Sequence, residues 1–76
     1  MSRQASYIAQ SCGLTTREHD ILEQLLLGNS RQKVSDILGI STNTVNSHTQ
    51  NIYQKMGIHS RQELIDYAFS IEDFQL

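Results

Sequence analysis

The sequence predicts an all-α fold: a four-helix domain in which the second and third helices form a helix-turn-helix. Three observations lead there. Apolar residues recur at spacings of three and four, serine or threonine stands where each helix would begin, and glycine stands where most would end. Proline is absent from the chain. At 76 residues this is one domain, small enough to bury only about 60% of the surface of its unfolded form. With 38% hydrophobic and 18% charged residues the composition is globular and far from that of a disordered chain.

Residues 1–13 are polar apart from Tyr7, Ile8 and Ala9 and offer no clear cap, so they are expected to be a linker end or a short helical turn. The domain proper is expected over 14–70. Its first helix opens at Thr15, with Glu18 three residues on in the arrangement of a capping box, and stops at Gly28. Ile21, Leu22, Leu25 and Leu26 form its apolar stripe. The second helix is barely two turns long, running from a Ser30 cap to Gly39, with Val34, Ile37 and Leu38 expected in the core.

Only Ile40 and Ser41 separate that stop from the third helix, which Ser41 caps and Gly57 ends; so short a link is typical of a helix-turn-helix. On a 3.6-residue period Val45, His48, Thr49, Ile52 and Met56 share one face of this helix. Asn43, Asn46, Ser47, Gln50 and Gln54 share roughly the opposite one. The first face can pack, and the second is left to bind. His48 is expected to be a partly buried, hydrogen-bonded ring, and His59 to help fix the next turn. Ser60 and Glu63 repeat the capping box and open the fourth helix. Its Leu64, Ile65, Tyr67, Ala68 and Phe69 are apolar around more than one side, enough to complete the core and to meet a second copy of the chain. Residues 71–76 are expected to be a C-terminal tail.

Several function classes fall away on composition. No run approaches the roughly 18 to 20 apolar residues of a membrane span, and the first residues lack the layout of a signal peptide, so a cytoplasmic location without membrane contact is expected. Cys12 is the one cysteine, which rules out an internal disulfide and the usual zinc spacings. Cys12 and the three histidines are scattered, no glycine-rich loop follows a strand, and no paired carboxylates line a cleft. The expectation is a protein that is not an enzyme and carries no cofactor or metal.

The formal net charge of −2 is unusual for a nucleic-acid module. Its distribution offsets this. The carboxylates gather in Glu18, Asp20 and Glu23 and in Glu63, Asp66, Glu72 and Asp73, whereas from Gly39 to Ser60 the one charged residue is Lys55.

Leu14-Thr15, Arg17-Glu18, Ile21-Leu22, Gly28, Ser30, Val34, Leu38, Ile40-Ser41, Thr44-Val45, His48, Ile52, Lys55-Met56-Gly57 and His59-Ser60 together resemble the LuxR-type (GerE-like) helix-turn-helix domain of bacterial transcription regulators. The likeness spans about Leu14 to Phe69. It implies four helices, the third entering the major groove of double-stranded DNA and the fourth pairing two copies, in the C-terminal output domain of a regulator. It also implies that the residues just after the Thr-Val pair face bases, which here are Asn46, Ser47 and Gln50. Lys55 and Thr44 would approach the phosphate backbone, joined by Arg31, Lys33 and Asn43. Leu64, Ile65, Tyr67 and Ala68 would form the dimer contact. The chain departs from the family pattern at Thr16, where proline is frequent, at Lys33, where glutamate is usual, and at Asn46 and Gln50, where lysine or arginine is common.

Those carboxamides suit base reading, because each offers a donor and an acceptor matching the N6 and N7 edge of adenine; an A·T-containing half-site is expected. Two other readings compete. One is a protein-interaction module on the same scaffold, with RNA polymerase as a candidate partner, and the acidic balance favours it. The other is a promoter-reading domain like that of sigma factors, for which a basic cluster is missing.

Overall fold

Thr15, Ser30, Ser41 and Ser60 each accept, on the side-chain hydroxyl, the backbone N–H three residues on, at 3.1 to 3.2 Å, and a helix follows each of them. At Thr15 the box is reciprocal, since the Thr15 N–H donates to Glu18 Oε1 at 2.9 Å. At Ser60 the returning carboxylate reaches one residue further back, where Glu63 Oε2 accepts the N–H of His59 at 2.6 Å. His59 therefore helps fix this turn through its backbone.

The computed structural model describes residues 2–75, with residues 2 and 72–75 described by their backbone alone. Five helices result: α1 Ser2–Cys12, α2 Thr16–Leu26, α3 Arg31–Leu38, α4 Thr42–Met56 and α5 Arg61–Gln75. The last four are the expected helices, with α3 and α4 as the helix-turn-helix.

Glycine ends the first four of them in one way. The residue after Gly13, Gly28, Gly39 and Gly57 donates its N–H to a carbonyl five residues earlier: Leu14 to Ala9, Asn29 to Gln24, Ile40 to Ser35 and Ile58 to Tyr53. The geometry needs a left-handed residue, and at the two ends that frame α4 the φ values are 68° for Gly39 and 71° for Gly57.

α1 departs from the sequence expectation. Residues 2–12 are helix rather than a linker end, and Ala5 and Ile8 are fully buried with Cys12 packed beside them. The three recur at i, i+3 and i+7, one face of a helix. At the other end α5 continues through residues expected to be a tail, as far as Gln75. Met1 and Leu76, the outermost members of those two segments, lie outside the described residues.

The core joins Ala5 and Ile8 of α1, Ile21, Leu22, Leu25 and Leu26 of α2, Val34 of α3, Val45, Ile52 and Tyr53 of α4, and Leu64 and Ala68 of α5. Each fully buried leucine or isoleucine contributes about 1.5 to 3 kcal/mol. Leu38 and Met56 pack at its margin. Ile37, expected inside, is instead about half exposed. The inward position of so short a helix goes to Ser35, whose hydroxyl is satisfied by donating to Gln32 O at 2.7 Å. α4 packs against α1, α2 and α3 and leaves its opposite side open.

Candidate nucleic-acid interface

α4 buries Val45, Thr49, Ile52 and Tyr53 and turns Asn43, Ser47, Gln50, Asn51 and Gln54 to solvent. Thr49 is a polar residue in the buried stripe, and its hydroxyl is spent within the helix, donating to Val45 O at 2.8 Å. Asn46 sits at the edge of the open face, half buried, and its Oδ1 accepts a hydrogen bond from Arg31 Nη1 at 2.8 Å. The first residue of α3 thus reaches across to the outer face of α4. At the start of α4, Ser41 Oγ also lies 2.9 Å from Thr44 Oγ1, which fixes the hydroxyls beside the free N–H groups of the first turn. Those N–H groups and the helix dipole favour an anion.

Lys55 is less free than its sequence position suggests. Its Nζ donates to Glu18 Oε1 at 2.7 Å and to Gly13 O at 3.4 Å, tying the last turn of α4 to the first turn of α2. Glu18 is buried. Burial alone would raise its carboxyl, but the hydrogen bond and charge of Lys55, with hydrogen bonds from Thr15, outweigh that and hold it below its ordinary value. Lys33 is exposed on α3.

Beside the carboxamides lies an open groove of about 660 Å³ between Arg31, Gln50, Gln54 and the segment Gly57 to Arg61. Arg61 is the residue that sequence reasoning passed over. Its Nη2 donates to Asn29 O at 2.6 Å, so it braces the turn before α3, and a partner 32 positions away leaves no local sequence signal.

The family model for bacterial regulatory proteins, luxR family, matches residues 12–68, three quarters of the sequence. The chain belongs to the LuxR family. Among its relatives, the Fimbriae Z protein of Escherichia coli K12 is 49% identical over 55 residues, which is 72% of this chain and 26% of that protein. The transcriptional regulatory protein MctR of Rhizobium johnstonii is 40% identical over 55 residues, again 72% and 26%. The CsgBAC operon transcriptional regulatory protein of Escherichia coli K12 is 36% identical over 59 residues, 78% of this chain and 27% of that protein. The chain spans about a quarter of the length of these relatives. No solved structure matches it significantly.

In this LuxR-family domain two of the residues expected at a dimer contact are turned the other way. Leu64 and Ala68 are buried in the domain's own core, because the inward stripe of α5 must cover α1 and α2. Ile65 and Tyr67 remain partly exposed, and Phe69 is about half exposed. Tyr67 faces Tyr7 of α1 across a shallow pocket, and burial pushes its phenol up from the ordinary value, with Cys12 and Tyr7 adding to the rise. His48 is half buried, as expected, and among the described residues its enclosed Nδ1 has no hydrogen-bond partner. Among the described residues no helix is long and apolar enough to cross a membrane, and no cluster of His, Cys, Asp or Glu could hold a metal ion.

Proposed function

We propose that this domain binds double-stranded DNA sequence-specifically, as the C-terminal output part of a bacterial transcription regulator, with α4 lying in the major groove. The observation that carries the reading is the open face of α4, rich in carboxamides, free of carboxylates and held rigid by a packed opposite face. Asn46, Ser47 and Gln50 are the base-reading residues, with adenine the base an Asn or Gln amide matches best. Thr44 and Asn43 at the start of α4 and Lys33 on α3 meet phosphates. Lys55 gives two N–H groups to Glu18 and Gly13 and has a third for a phosphate oxygen. Arg31 adds its charge to the same edge. Two copies pair through the outward side of α5, with Ile65 and Tyr67, and present their α4 helices about one duplex turn, ~34 Å, apart.

Selection from a random duplex pool tests this. An enriched palindromic or tandem motif containing A·T pairs is expected. Asn46→Ala should then lose about 1 to 3 kcal/mol of discrimination at one base pair while its helical circular dichroism is unchanged. If no motif is enriched, the net charge of −2 favours the second reading, a module that docks on a protein such as RNA polymerase.

A further inference from the structure

The hydrogen bond from Arg31 Nη1 to Asn46 Oδ1 joins residues on different helices and lies at the margin of the face proposed to read bases. We infer that Arg31 is a specificity-positioning residue: it fixes which way round the Asn46 carboxamide is presented to a base pair. The inference rests on the DNA-binding reading above.

A carboxamide is nearly symmetric in shape but not in chemistry, since one end accepts and the other donates. Turning it over by a half rotation exchanges the two and changes the base edge it matches. A guanidinium carries donors and no acceptor, so it tolerates the oxygen of Asn46 and repels the NH2. With Arg31 in place the oxygen lies on the α3 side and the NH2 on the other. The oxygen keeps a second lone pair for a base, and the order of acceptor and donor along the duplex is set. Without Arg31 both orders are open, and the preference at that base pair should broaden. Arg31 is exposed and follows the Ser30 cap, so its replacement leaves the core and the helix start intact.

The test compares the parent, Arg31→Ala, Asn46→Ala and the double variant on the selected duplex and on its three single-base alternatives at each position, by fluorescence anisotropy. Asn46→Ala locates the base pair that residue 46 reads. Arg31→Ala is expected to reduce the preference at that same base pair by about fivefold or more, and to change no preference in the Asn46→Ala background. If Arg31→Ala weakens every duplex by one common factor, additive with Asn46→Ala, Arg31 is a phosphate contact and the inference is overturned. A parent with no base preference at any position overturns the DNA reading and this inference with it. A parent whose preference survives Asn46→Ala but not Arg31→Ala keeps the DNA reading and overturns the inference alone.

Discussion

Glu18 is a buried carboxylate whose cation arrives from another helix, and its cost and compensation can be separated. A carboxyl with a folded pKa below its unfolded one stabilises the fold above the unfolded value and loses that contribution as the pH falls through the folded value. Glu18 is of this kind, so stability is expected to fall as the pH drops below about 4.5, its ordinary value, and Glu18→Gln should flatten that limb of the curve. Lys55→Met removes the partner and leaves a buried charge. Breaking a fully buried pair costs about 3 to 5 kcal/mol. The Lys55 side chain remains 36% exposed, where screening applies, so a loss of roughly 2 kcal/mol at neutral pH is expected from urea unfolding. The penalty should shrink in acid, where the Glu18 carboxyl accepts a proton.

At the scale of elements, the starts and stops of α2, α3 and α4 were legible because each is a local pattern, a hydroxyl with its N–H three residues on or a glycine with the bond that follows it. α1 was not legible. Its inward stripe is Ala5, Ile8 and Cys12, two of them small, and it carries no capping signal, so its burial depends on the surface that α2 and α5 offer. Ile8→Ala is therefore expected to cost about 2 to 5 kcal/mol, as in other cores, whereas a linker residue would cost nothing measurable. Thermal or urea unfolding distinguishes the two. The phase of α3 is hidden in the sequence for a related reason: eight residues with few apolar positions do not fix which side faces in, and Ser35 is buried where Ile37 is not. The site divides in the same way. The two faces of α4 follow from periodicity. The Arg31–Asn46 and Lys55–Glu18 pairs join residues 15 and 37 positions apart, and only the packing of the helices brings them together.

For the whole molecule the question is how a domain of net charge −2 can meet a polyanion. From Gly39 to Ser60 the chain carries no carboxylate, and the cations placed on phosphates are Lys33 and Lys55, Arg31 being bonded to Asn46. Each phosphate neutralised adds about 0.9 to the slope of log K against log salt, so a pair of subunits should show a slope of about 4. A slope beyond about ten would mean that cations elsewhere, such as Arg3 or Arg17, take part. Pairing through α5 belongs to this scale too, and it must use the side away from Leu64 and Ala68. The central claim, that carboxamides on the open face of α4 touch base edges, is tested most directly by nuclear magnetic resonance of side-chain NH2 groups during titration with the selected duplex. The Asn46 and Gln50 signals are expected to move further than that of Gln62 on α5. Asn46 and Gln50 signals that stay in place while the duplex is bound would contradict the account.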